Sequence, residues 1–527
     1  MTRTVVAAYP RPPRAHASRI HRVRVGGVAV FAEHRAGVSY ARFSMTGPAT
    51  VAVEVADPIA DHAVFPEERI GHVTATGKVL GFDLAAPTSV VVWIDQLEPL
   101  FLLPDPPEAD ARVSGSDGVI DVLDHGADPT GRVLATTALQ AAIDRAAGLA
   151  GGGTVLLPAG VFRTGTLEIK SHVTLYLAPG AILQGSSDPR DYPIDPGRQE
   201  SASDASLPPD VRYWGRTMTF SRLLLVDHAT DVRITGRGTI DGGGAALRSR
   251  EGIAPNLLRV RASSHVVISD VLFRDAAAWS IHLLASQDVV VRNVKIINDR
   301  ATLNTDGVDI DMSADVAIEG SFVYTKDDAV CVKATGNSGL AGEPRHIVVA
   351  HNLVSSRDAA LKVGTESEAA EFTDIIFEDD YVFDSSRAMS VVVRDGARYE
   401  RLTFRSIRVG PHVDHLIEQV IGVRAPRADL GTIRDLTFEG ITAPAYGKPA
   451  SNATWYTQFR PHAVSPAGPV HVFEGADEAH QVQGLRLKDV VINGKPIRDA
   501  GAARRVAGLS IGPYVRDVTI ESSTSRP

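Results

Sequence analysis

Asn304-Thr305-Asp306-Gly307 and Lys326-Asp327-Asp328-Ala329 put three aspartates into two short segments, each running into an apolar alternation, Val308/Ile310/Met312 and Val330/Val332. Asp306 and Asp327 are 21 positions apart, close to the period at which the surrounding sequence repeats. A chain that coils with that period sets one segment above the other and crowds three carboxylates onto one patch. Such a patch is acid/base machinery for hydrolysing a glycosidic bond. The bridging oxygen leaves poorly until it is protonated, and water attacks poorly until a base draws off its proton. Clustered like charges raise at least one pKa and keep that carboxyl protonated near neutral pH. Inverting hydrolysis holds its two carboxyls about 6.5–9.5 Å apart with a water between. Strands stacked about 4.8 Å apart, with splayed side chains, reach that separation. The competing reading is that the aspartates only cap turns, as Asn/Asp/Gly clusters often do.

The elements that would hold these residues recur along the chain. Units at 265–273 (HVVISDVLF), 288–297 (DVVVRNVKII), 315–325 (DVAIEGSFVYT), 346–356 (HIVVAHNLVSS), 374–384 (DIIFEDDYVFD), 433–442 (IRDLTFEGIT) and 485–494 (LRLKDVVING) are short, β-branched and alternating. Through the centre their starts fall 23 to 31 residues apart, a solenoid period. One unit cannot bury its apolar face alone, whereas stacked units share a core. The fold class expected is all-β: a right-handed parallel β-helix with an N-terminal capping helix, preceded by a small β-sandwich. Regular strand spacing in a larger β-sandwich is the plainer alternative.

Three regions are expected. Residues 1–17 form an N-terminal segment. Residues 18–107 form the sandwich, from RVRVGGVAVFAEH, YARFSMTG, TVAVEVAD, HVTATGKVLGFDL and SVVVWIDQ. Leu102-Leu103-Pro104-Asp105-Pro106-Pro107 then reads as a stiff linker, because consecutive prolines favour extended chain. Residues 108–527 form the β-helix. Thr137–Ala150 has helical spacing and stops at Gly151-Gly152-Gly153. A helix there would hide the open first strand edge. The sandwich shows no catalytic constellation and is expected to cover an end or edge of the helix, to wall the cleft or to bind carbohydrate.

Composition limits the partners. The 527 residues carry a formal net charge of −9 and no Lys/Arg-rich run, which argues against nucleic acid. No apolar stretch is long enough for a membrane span. The first residues lack the apolar core of a signal peptide. The protein is therefore expected in the cytoplasm if Met1 is its natural start, and otherwise secreted with its signal removed. Cys331 is the single cysteine, which leaves no intrachain disulfide and no cysteine metal site; it reads as an inert small residue in the stack. A carbohydrate substrate is expected, with no cofactor; the oligomeric state is not readable.

The run DVLDHGADPTG, ALQAAIDRA, GGGTVLLPAGVFRTGTL and LYLAPGAILQGSSDPRDYP, followed by WSIHLLASQDVVVRNVKI, NTDGVDI and the Asp-Asp pair, resembles the polygalacturonase-like glycoside hydrolase family 28 from about Val119 to Asn493. The resemblance implies a right-handed parallel β-helix and metal-free hydrolysis with inversion. It also implies Asp327 as general acid, with Asp306 and Asp328 holding and activating the water. Some architecture also resembles the dextranase and isopullulanase family 49, whose members invert and act on neutral α-glucans. A Ca²⁺-dependent polysaccharide lyase on the same fold is a further alternative, with Asp306, Asp309, Asp327 and Asp328 as oxygen ligands.

Two departures bear on substrate. The Gly-His-Gly of polygalacturonases is replaced by Ser356-Arg357-Asp358-Ala359, so its water-supporting histidine is missing. The Arg-Ile-Lys that holds a galacturonate carboxylate is matched by Arg387-Ala388-Met389-Ser390-Val391-Val392, with Ser390 and Val392 at the cation positions. A valine cannot pair with a carboxylate, and an unpaired buried carboxylate is costly. The sugar there is expected to be neutral, or a uronide read by Arg357, Lys362, Arg387 or Arg394. Further expected substrate contacts are Asn304, Asp309, Lys333, Trp279 and His282. The stretch 190–216 is long enough to close one end of a cleft.

Overall fold

The computed structural model describes residues 5–194, 221–336, 339–423, 429–444, 446 and 471–523. Among the described residues, three sheets of fourteen, thirteen and nine strands wind through residues 119–521, parallel throughout except for the final antiparallel pair of the thirteen-stranded sheet. Each turn of chain adds a strand to one sheet after another, so neighbours in a sheet come from successive turns. The turn corners explain the residue types that open the repeats. Asp288, Asp315, His346, Asp374 and Arg401 occupy one corner with φ between 52° and 57°, a left-handed conformation that Asp and His adopt more readily than most side chains. Inward residues form one continuous core, in which Phe377, Phe404 and Phe438 stack with centroids 4.8 Å and 5.2 Å apart. That spacing is close to the distance between hydrogen-bonded strands. A further unit at Arg398–Arg405 belongs to the same series, although the repeat pattern of the sequence did not bring it out.

Thr136–Ala147 is the expected helix, ending three residues earlier than its composition suggested. Leu139, Ala142, Ile143 and Ala146 face the core of the first turns, the i, i+3, i+4, i+7 pattern of an amphipathic helix.

Residues 5–105 form two packed sheets of six and five strands around their own core. Two expectations are corrected here. Val5–Ala8, within the segment set apart at the N-terminus, pairs antiparallel with Val38–Thr46. Residues 102–105, read as the start of a linker, belong to the fully buried strand Leu100–Asp105, which lies parallel to Val38–Thr46. Pro104 suggested a spacer, yet the four apolar residues before it fill the sandwich and its interface.

The sandwich lies against the outer face of the thirteen-stranded sheet. Tyr40, Phe65, Phe101 and Leu103 pack on Leu272, Phe322, Tyr324 and Phe383. Phe101 sits 4.8 Å from Phe322 and 5.0 Å from Tyr324, ring to ring. Burying such a ring contributes about 1.5–3 kcal/mol. Among the described residues the sandwich therefore covers a side of the β-helix; it supplies none of the side chains that line the cleft described next.

Candidate active site

The nine-stranded sheet carries the cleft. Its strands Ile281–Leu284, Val308–Asp311, Val330–Ala334, Ala359–Ser367, Ser385–Val393 and Val413–Ile421 lie side by side in that order. The aspartates sit just before two of these strands, where the chain arrives from the thirteen-stranded sheet. Backbone bonds set the stacking: Ser280 N–H donates to Asp306 O, and Gly307 N–H to Asp328 O. Gly307 is required by this close approach, because a Cβ there would lie 2.3 Å from Ala329 O. Asp327 is pinned through its own carbonyl, which accepts from Thr325 Oγ1 at 2.6 Å and Ser356 Oγ at 2.7 Å.

One oxygen from each of Asp306, Asp327 and Asp328 lies within 4.8 Å of the others. This is tighter than the separation expected from the sequence, because the side chains converge instead of splaying. Their environments differ. Asp328 is buried, yet Lys362 Nζ stands 2.7 Å from its Oδ2 and Ala359 N–H donates to its Oδ1 at 3.3 Å. Burial alone would raise its pKa; Lys362 and Lys333 override that and hold it below the usual carboxylate range. Asp327 is half-buried, and burial with the charge of Asp328 pushes it up. Asp306 is 3% exposed. Burial, Asp309 and Asp327 drive it well above an ordinary carboxylate, with Lys333 at 3.4 Å opposing. Its Oδ1 accepts no hydrogen bond from the protein.

The cleft has a volume of about 240 Å³ and opens to solvent. Of the residues expected at the site, Asp306, Asp327, Asp328, Asn304, Trp279, Lys333, Lys362 and Arg387 all line it. Lys333 Nζ lies 4.3 Å from the centre of the Trp279 ring, within cation–π range. Lys362, the expected sugar contact, is committed to Asp328. Arg387 is held by Asp358 and by Glu418, the latter at 3.1 Å. Three expected contacts stand elsewhere. Asp309 points outward but is fully buried under Lys333, 2.7 Å away. His282 is buried too: its Nδ1 accepts from Arg259 Nε at 3.2 Å, so Nε2–H donates to Asp311 Oδ2 at 2.9 Å. Burial lowers its pKa to about 4, and the ring is neutral. Arg357 faces away from the cleft, exposed, with Asp384 at 3.1 Å. Residues 195–216 of the stretch expected to close one end lie outside the described residues.

Asp358, Glu366, Glu418 and Val420 also line the cleft and were not singled out from the sequence. Glu418 was findable, since it continues the outward row Cys331, Lys362, Ser390, Glu418 on successive strands. Cys331 is buried with its thiol pKa raised well above the usual value by burial, and Sγ donates to Gly364 O. The three aspartates have the spacing of a cation site, but the donor set fits a metal poorly. Two ammonium groups already stand against the cluster, Lys362 at 2.7 Å from Asp328 and Lys333 at 3.4 Å from Asp306, and a hard cation would have to displace them.

Fold and site together define a right-handed parallel β-helix protein with a carboxylate cleft on one sheet. Residues 214–388 match the model of glycosyl hydrolases family 28, and the chain is polygalacturonase-like in sequence and fold. A probable polygalacturonase of Vitis vinifera is 28% identical over 288 residues, 51% of this chain and 56% of that protein. The chain thus spans little more than half the length of that relative. Among solved structures, a hyperthermoactive exopolygalacturonase from Thermotoga maritima aligns with a TM-score of 0.59 at 19% identity, covering 78% of this chain and 93% of the other. Dex49A from Penicillium minioluteum aligns with a TM-score of 0.65 at 10% identity, covering 98% and 96%. The second likeness agrees with the sandwich-plus-helix architecture expected from family 49.

Proposed function

We propose that the protein is a glycoside hydrolase whose cleft cleaves a poly- or oligosaccharide by direct attack of water. The observation that carries this is the clustering of three carboxylates in different electrostatic surroundings, one oxygen of each within 4.8 Å of the others. Asp328, kept ionised by Lys362, deprotonates the nucleophile, and Asp306, whose Oδ1 accepts no hydrogen bond from the protein, helps to hold it. Asp327, half-buried and kept protonated by burial and its neighbour, donates to the leaving oxygen. Both oxygens of Asp328 are engaged by Lys362 and Ala359. That disfavours its own attack on the sugar and favours a single displacement with inversion, despite the short distances.

The lining supports a neutral sugar next to the triad. Six carboxylates (Asp306, Asp327, Asp328, Asp358, Glu366, Glu418) face four cations (Lys333, Lys362, Arg387, Arg394). Lys333, Lys362 and Arg387 are already paired with carboxylates of the chain. The positions at which the family resemblance would set two cations against a uronate are Ser390 and Val392 here. The test is proton NMR of the products released during the first turnovers from galacturonan, rhamnogalacturonan, dextran, pullulan and short plant oligosaccharides. Inverted anomers from a neutral substrate are expected. Retained anomers would overturn the single displacement, and an unsaturated uronide would overturn hydrolysis.

A further inference from the structure

Glu418 ends the outward row that runs through Cys331, Lys362 and Ser390. Its carboxylate accepts from Ser390 Oγ at 2.5 Å and stands 3.1 Å from Arg387 Nη1. The other terminal nitrogen of Arg387 pairs with Asp358. Both sides of the guanidinium are thus held by carboxylates of the chain itself. Two positions further along the same strands, Val392 and Val420 lie side by side in register and line the same end of the cleft.

A sugar carboxylate arriving at this end would meet a fixed anion, a cation shared by two carboxylates, and two valines; Arg394 and Glu366 also line the cleft. Like charges held close oppose ionisation, and a charge buried without a partner costs far more than a hydroxyl. A hydroxyl or hydroxymethyl group would instead donate to Glu418 or Asp358 and set its apolar hydrogens on the valines. We infer that Glu418 is a specificity-determining residue: its carboxylate fills the place an acidic sugar would need and restricts this end of the cleft to an uncharged ring. The inference rests on the hydrolase reading above and goes further by assigning the selection to one side chain.

The test uses two polymers of one backbone, galacturonan and its carboxyl-reduced galactan, with the full-length protein and its Glu418→Gln and Glu418→Ala variants. Glutamine keeps the size and the bond from Ser390 while removing the charge, and alanine opens the space. Thermal melts check that each variant is folded. The wild type is expected to prefer the reduced polymer in kcat/KM, and both variants to move the ratio at least tenfold toward galacturonan. An unchanged ratio in a folded variant, or a wild type that prefers galacturonan, overturns the assignment. If neither polymer is cleaved, the same ratio is read from their binding to the Asp327→Asn protein. Binding with the expected ratio but without cleavage keeps the Glu418 assignment and overturns hydrolysis alone. Failure to bind either polymer overturns the Glu418 assignment.

Discussion

Lys333 and Asp309 form an ion pair of 2.7 Å beneath the cleft, both side chains fully enclosed, and Lys333 extends from it to Asp306 at 3.4 Å. Asp309 therefore competes with Asp306 for one ammonium group. Burial raises Asp309 to about 7 against the opposing charge of Lys333. Above that pH it is an anion that both repels Asp306 and draws Lys333 away.

Asp309→Asn removes the repulsion and leaves the ammonium to Asp306, whose pKa must fall. Asp306 holds the water more strongly as an anion, so the acidic limb of the kcat/KM profile is expected to move to lower pH. The limb should stay put in Asp309→Glu. A limb unmoved in Asp309→Asn would separate Asp309 from the chemistry. His282, already neutral, should leave no inflection of its own between pH 5 and 8.

Asp327→Asn, Asp306→Asn and Asp328→Asn are each expected to lower kcat by roughly 10²–10⁴-fold, the usual contribution of a positioned acid or base. Their circular dichroism should match the wild type. Near-wild-type turnover in any one of them would remove that residue from the mechanism. Asp328→Asn should also free the Lys362 ammonium, so its melting temperature should drop the most of the three.

Activity is expected to survive prolonged dialysis against a strong chelator. The ammonium groups of Lys333 and Lys362 already supply the positive charge at the cluster. Loss of activity restored by Ca²⁺ would favour the lyase alternative.

Asp105 joins the two halves of the molecule. It is fully buried, pairs with Lys295, and has Arg237 at 3.1 Å and the Tyr9 hydroxyl at 3.0 Å. Burial opposes its charge, but Lys295, Arg42 and Arg237 prevail and hold its pKa below the ordinary value. A depressed carboxylate contributes stability above its unfolded pKa of about 4 and loses it as pH falls through the folded value. The joint is therefore expected to weaken only below about pH 4. Asp105→Asn at neutral pH should destabilise by about 3–5 kcal/mol, since it leaves buried cations short of a partner. A melt unchanged between wild type and variant would contradict this.

Much of the architecture was legible because the β-helix writes itself locally. Alternation within a strand and an Asp or His at each corner repeat often enough to be seen without knowing what pairs with what. The unit at Arg398–Arg405 escaped because Arg401, with φ of 57°, stands at the corner where the recognised units carry Asp or His. Leu100–Asp105 escaped because one of its two partners, Val38–Thr46, is remote in sequence and its proline argued for a spacer. At the site, the aspartates were legible through their motif. Outward parity alone could not tell Asp309 and His282, covered by neighbouring side chains, from Lys333, which lines the cleft. Glu418 required knowing which strands stand in register.

The groups lining the cleft come from six successive turns of the coil, in the order Trp279, Asp306, Asp327, Lys362, Arg387 and Glu418. Position along the groove is thus written as position along the gene. Duplicating or deleting one coil would lengthen or shorten the groove by about 4.8 Å while leaving the groups on either side in mutual register. A protein built this way can change how many sugars it grips by whole-number steps and keep its cutting point intact. The paired Ser390–Glu418 end is where such a step would be felt first.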